Sequence, residues 1–141
     1  MTDRIARPSD AVRIIDEYVA AVLGGYEPAS RLVRLACQRH RQDCERDDLA
    51  FDPAPVDDWL TFCRQIRHPR GDAAERGEYF EPLPWQVFCI GSVLGWRAEP
   101  SGHRRYRLAI IEVARGNGKT VLMASVCLRQ TSRYLSSPVN K

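Results

Sequence analysis

Apolar residues in the first part of the chain recur at the three- and four-residue intervals of a helix. From Ser9 to Leu23, the positions Val12, Ile15, Val19, Val22 and Leu23 fall on one stripe, with Ser9 suited to the N-cap and Gly24-Gly25 to the stop. A second helix is expected from Pro28 to about Asp48, turning Leu32, Leu35 and Ala36 inward and leaving Arg31, Arg34, Arg39 and Arg41 in water. A third is expected from Pro55 to His68, burying Val56, Trp59, Leu60, Cys63 and Ile66. Residues 1–68 therefore read as an all-helical region.

The pattern lapses between Pro69 and Pro82, where Arg70-Gly71-Asp72 and Gly77 mark a polar connector, residues 69–82. Residues 83–141 open the next domain. Pro84 fits the first turn of a helix carrying Trp85, Val87, Phe88, Ile90, Val93 and Leu94 to Gly95, and Glu99-Pro100-Ser101-Gly102 then turns the chain. Arg107 to Val113 is short, apolar and rich in β-branched residues (Leu108, Ile110, Ile111, Val113), as a strand buried in a parallel sheet would be. Helical spacing returns from Val121 to Leu135. There is no internal repeat and no low-complexity tract.

No apolar stretch approaches the roughly 20 residues that cross a bilayer. Met1 to Pro8 has charges but no apolar segment behind it, so a secretory signal is not expected and the cytoplasm is the default. Five cysteines, an odd number at wide spacings, fit reduced thiols better than a disulfide framework. Cys37, His40 and Cys44 lie along one helical stripe that could face zinc, although a fourth ligand is not obvious. A net charge of +3 does not by itself argue for nucleic acid, but Arg97, Arg104, Arg105, Arg107 and Arg115 concentrate positive charge in one stretch. A solvated basic face and a phosphate or DNA contact both fit that stretch. Only Lys119 and Lys141 are lysines, which makes the placement of Lys119 informative.

Val113-Ala114-Arg115-Gly116-Asn117-Gly118-Lys119-Thr120 lies between the expected strand and the last helix. Strand, glycine-containing turn, Gly-Lys-Thr and helix is the order of a phosphate-binding loop. Gly116 and Gly118 allow backbone angles that bring main-chain N–H groups close to phosphate oxygens. The helix N-terminus adds unpaired donors and a favourable dipole. Lys119 would reach the β- and γ-phosphates, and the Thr120 hydroxyl would meet Mg²⁺. The common pattern has a glycine where this chain has Val113.

The segment Ile111 to Thr120 resembles the deviant phosphate loop of the large terminase subunit of tailed bacteriophages, in which an early arginine accompanies Asn-Gly-Lys-Ser/Thr. Arg115 stands at that arginine's position. Leu83-Pro84-Trp85-Gln86, Gly95-Trp96, Gly102 and Arg105-Tyr106-Arg107 resemble the family's lead-in to the loop. Tyr18-Val19, Leu23-Gly24 and Val33 to Cys37, with His40 and Asp43, resemble its helical start, so that the likeness spans about residues 10 to 128.

The resemblance implies an α/β fold class: an N-terminal helical region followed by the truncated start of a P-loop NTPase domain, in the order helix, strand, P-loop, helix. It implies ATP and Mg²⁺ as cofactors, contacted by Trp85 and Gln86 on the adenine side and by Arg115, Gly116, Asn117, Gly118, Lys119 and Thr120 around the phosphates, with Thr120 on the metal. Gly116 replaces a second basic residue common in relatives, leaving the loop less cationic. Double-stranded DNA, the small terminase subunit and the capsid portal are the implied partners, and membranes are not. In the intact relative, ATP hydrolysis drives DNA into a capsid and a nuclease domain cuts it.

The later acidic motif and the nuclease domain are not seen in this sequence, and residues 129–138 depart from the family. The expectation is thus a truncated protein that at most binds nucleotide, with no catalytic residue of its own. Its C-terminal half should be marginally stable, because a lone parallel strand exposes its edges. The rival readings are a non-catalytic helical interaction module and an inert prophage remnant; a small P-loop kinase lacks room for a lid after Thr120.

Overall fold

The computed structural model describes residues 9–136, which form six helices and three strands. The readings of Met1–Pro8 and of the tail after Ser136 lie outside the described residues. Two compact units are present: Met1–Asp57 with Leu83–Leu108, and Asp58–Pro82 with Ala109–Lys141. Neither is a single run of sequence.

In the first unit, helix α1 (Asp10–Gly24) begins where its cap predicts, with the Ser9 hydroxyl accepting the Val12 N–H at 3.1 Å. It ends at Gly25, whose φ of 79° is the left-handed conformation that a side chain would strain. Ala11, Ile15, Val19 and Val22 form its buried stripe. Helix α2 (Arg31–Asp43) is shorter than expected, because Ser30 rather than the Pro28 region supplies the cap, accepting from Val33 N–H at 3.4 Å. The expected inward face is also wrong. Cys37, His40 and Asp43 are buried, whereas Leu32 and Leu35 are 71% and 49% exposed. The reason lies in tertiary packing: the His40 ring stands edge-on to Phe51, Phe88 and Trp96, with centroids 6.0, 5.7 and 5.4 Å away, and this fixes the rotation of α2.

The first 68 residues are not all helical. Strand β1 (Leu49–Phe51) pairs antiparallel with β2 (Trp96–Ala98), matching Leu49 with Ala98 and Phe51 with Trp96. The turn expected at Glu99 to Gly102 is present and joins β2 to β3 (His103–Arg104), with Ala98 opposite His103. Helix α5 (Pro84–Gly95) has the predicted bounds, and Val87, Phe88, Ile90 and Leu94 complete this core.

The second unit begins within helix α3 (Ala54–Cys63), which ends five residues before the predicted His68 and leaves Ile66 half-buried. Here the chain turns back on itself instead. Phe80 N–H donates to the Ile66 carbonyl at 2.7 Å and His68 N–H to that of Glu78 at 3.0 Å, while the short helix α4 (Asp72–Glu75) fills the loop between. The stretch read as a connector thus buries Phe80, whose ring meets His68 edge-on at 5.7 Å. Helix α6 (Lys119–Ser136) turns Leu122 and Ser125 inward.

Residues 107–113, predicted as a buried strand, form none: the backbone runs without ladder partners and leaves Leu108 and Ile110 77% and 84% exposed. Local β-propensity does not make a strand where no neighbouring strand accepts its N–H groups.

Candidate phosphate-binding loop

The stretch from Ala114 to Thr120 is exposed throughout, and its conformation is set by two glycines. Gly116 has φ 92° and Gly118 has φ 69°, both in the region open chiefly to glycine. A Cβ built on Gly116 would meet nothing within 4 Å, so backbone conformation, not crowding, requires glycine there. Between them, the Asn117 side-chain amide donates to the Ala114 carbonyl at 3.1 Å and closes the turn.

Lys119 and Thr120 open helix α6, in which Leu122 N–H donates to the Gly118 carbonyl at 3.0 Å. The N–H groups of the first turn before Leu122 accordingly project from the helix end, where the macrodipole is positive and no acidic side chain stands. The Lys119 ammonium reaches back across the loop to the Val113 carbonyl. An incoming phosphate would find that donor already on the loop and able to exchange one oxygen for another. Thr120 presents its hydroxyl on the same exposed turn, a suitable ligand for a hard cation held mainly by phosphate.

Behind the loop, α6 is fixed by polar contacts the sequence did not single out. The Trp59 indole donates to the buried Ser125 hydroxyl at 3.0 Å, and that hydroxyl donates to the Leu122 carbonyl at 2.7 Å. Arg129 forms a two-toothed pair with Asp58 and lies 5.6 Å from the Phe62 ring centre, while Arg133 stands 3.7 Å from the same carboxylate. The Arg129 hydrogen bond, opposed by partial burial, pulls the Asp58 carboxyl below its usual value. Leu122, Ser125 and Arg129 follow at i, i+3 and i+7, and that inward stripe is the signal that could have revealed them. Cys63, buried nearby, has its thiol pushed up to about 11, chiefly by burial.

Trp85 and Gln86 belong to the first unit, and the loop residues to the second. Trp85 is half-buried in the first turn of α5; Gln86 is buried, and its amide oxygen accepts the Leu83 N–H at 2.9 Å. Gln86 thus caps its own helix. Of the arginine-rich stretch, Arg105 pairs with buried Asp43 and stacks 5.0 Å from the Tyr106 ring, and Arg97 stands 4.0 Å from Asp52. These two serve the first unit's packing as well as its charge. The zinc arrangement considered for Cys37, His40 and Cys44 is not formed: Cys44 is exposed, His40 is enclosed by aromatic rings, and no group of three or more metal-ligating side chains converges among the described residues. No helix among them is long and apolar enough to cross a membrane.

Residues 84–135, a little over a third of the chain, match the family model described as terminase large subunit, ATPase domain. Over these residues the chain is similar to the ATPase domain of the large terminase subunit. No curated protein and no solved structure matches the chain. The terminase match runs from the first residue of α5 through the whole loop to the penultimate residue of α6, and so includes every expected nucleotide contact.

Proposed function

We propose that the chain carries the nucleotide-binding start of a DNA-packaging ATPase, in which residues 113–120 hold the phosphates of Mg²⁺-ATP. The observation that supports this most is the placement of Gly116 and Gly118, both at positive φ, directly before a helix whose first residue, Lys119, folds back over the loop. In this reading the exposed N–H groups and Lys119 neutralise the β- and γ-phosphates, Arg115 adds charge at the loop's entry, and Asn117 keeps the turn closed. Thr120 supplies one Mg²⁺ ligand. Trp85 and Gln86 are assigned the adenine side, Gln86 by its remaining amide donors. Residues 1–82 precede this ATPase region, which the reading starts at residue 83.

Hydrolysis needs a carboxylate to organise Mg²⁺ and the attacking water, and none of the loop residues 113–120 is acidic. Nucleotide binding is therefore the activity assigned to the loop itself. Translocation of double-stranded DNA, cleavage and contact with the small subunit or portal belong to the larger machine, in the host cytoplasm.

Calorimetric titration of Mg²⁺-ATP into the wild type and Lys119→Ala, with phosphate release followed in parallel, tests the reading. Saturable binding lost in the variant is expected. Absence of binding by either protein would favour a helical interaction module, and sustained hydrolysis would show that a carboxylate outside the loop completes the site.

A further inference from the structure

The outer face of α2 has a charge arrangement the loop does not explain. Its sequence from Arg31 to Asp43 contains four arginines and one carboxylate, and that carboxylate, Asp43, is buried against Arg105. The exposed side is therefore cationic without internal compensation. No acidic residue stands in the first turn, so Arg31 sits at the positive end of the helix dipole, where a cation is disfavoured and an anion is held. A local rule broken at an exposed position is a mark of a binding face rather than of folding.

The order of side chains around the helix narrows the partner. At about 100° per residue, Arg31, Gln38, Gln42 and Leu35 form the outermost ridge, with Arg39 about 80° to one side and Arg41 about 80° to the other. All six are exposed. A cationic flank on each side of a mainly polar ridge matches two phosphate walls with a channel between them, not a flat anionic surface. A continuous apolar strip, which a lipid surface would need, is interrupted by Gln38 and Gln42. Arg31 to Arg41 spans about 15 Å, and a groove roughly 12 Å wide admits such a helix; the deep, narrow major groove of duplex RNA does not. Arg34 is excluded from the contact set because it donates to the Val22 and Ala29 carbonyls.

We infer that the exposed face of α2 seats in the major groove of double-stranded DNA, with Arg31, Arg39 and Arg41 on phosphates. The inference does not rest on nucleotide binding by the loop. Anisotropy of a labelled 20-base-pair DNA duplex, titrated with the intact chain over a range of salt, tests it. Removing three phosphate contacts in Arg31→Gln/Arg39→Gln/Arg41→Gln should flatten the plot of log K against log salt by about 2.7 and weaken binding at low salt by at least roughly tenfold. Each single variant should lower the slope by about one, and the triple Arg→Lys variant should keep most of it, which separates lost charge from lost folding. Lys119→Ala should leave DNA affinity unchanged, so that failure here and failure of the nucleotide reading are distinguishable. No DNA binding by the wild type, an unaltered slope in the Arg→Gln variants, or equal affinity for an RNA duplex or for anionic vesicles would overturn the assignment.

Discussion

The Trp59 indole and the Ser125 hydroxyl, 66 positions apart in sequence, meet at 3.0 Å in a fully buried contact that holds helix α6 behind the loop. Ser125 passes the interaction on to the Leu122 carbonyl of its own helix, so one hydroxyl both accepts and donates. Removing it leaves the indole N–H buried without an acceptor. Ser125→Ala should destabilise the chain by about 1–3 kcal/mol, the usual cost of a stranded buried donor, whereas Trp59→Phe loses donor and bulk together. Urea denaturation checks this; an unchanged midpoint for Ser125→Ala would show that the contact does not contribute.

A second relationship gives stability a dependence on pH. His40 is enclosed by three aromatic rings, its Nδ1 has no hydrogen-bond partner, and burial lowers its pKa, opposed by Asp16 and Asp43. Because the folded value lies below the unfolded value of about 6.5, the unfolded chain binds the proton more readily. The His40 contribution is therefore whole above about pH 6.5 and is lost as pH falls through the folded value. His40→Phe should flatten the thermal midpoint between about pH 5 and 7; an unchanged pH profile would refute the assignment.

The acidic range should report on a different pair. Arg129 holds the Asp58 carboxyl below its usual value, so this ion pair supports the fold above about pH 4 and is lost as acid protonates the aspartate below that. Asp58→Asn should remove part of the acid-induced loss of stability while leaving the range near pH 7 with a lower but level stability. Acid titrations of both proteins by circular dichroism would distinguish this from an exposed pair of no consequence.

Where elements carry their own local signals, the sequence was legible. Ser9 and Gly25 bound α1, Pro84 opens α5, and the amphipathic spacing of α6 is plain without any partner. The turn glycines were equally readable, because the positive φ of Gly116 and Gly118 is a local backbone requirement. The rotation of α2 was not, since it depends on rings from Phe51, Phe88 and Trp96 that only the fold brings to His40. Strands β1 and β2 were missed because three residues are too few to show an alternating pattern, and their pairing is long-range. The opposite error at 107–113 has the same origin: β-branched composition was present and the neighbouring strand was not.

Close packing beside that sheet makes Gly95 sensitive. A Cβ there would collide with the Phe51 ring, whereas one at Gly91 would meet the Ile15 side-chain tip at 2.8 Å. The ring is held by Trp96 and His40 and has little freedom to move, while the end of an isoleucine can rotate away. Gly95→Ala should therefore cost about 1–3 kcal/mol through overpacking, and more than Gly91→Ala despite the better helix propensity of alanine in both. Equal midpoints for the two variants would contradict this order.

The exposed segment before the loop supplies a contrast within one helix-length of sequence. Leu108 and Ile110 stand in water, while Leu122, one turn into α6, is fully buried. Because the segment has no ladder, hydrophobicity there contributes nothing to folding, and Leu108→Lys or Ile110→Lys should shift stability by less than about 0.5 kcal/mol while improving solubility. Leu122→Ala should cost about 2–5 kcal/mol, since it opens a cavity at a fully buried position in the first turns of α6. Loss of stability in Ile110→Lys comparable to that in Leu122→Ala would mean instead that residues 107–113 are covered in solution, and that the strand read from their composition forms after all.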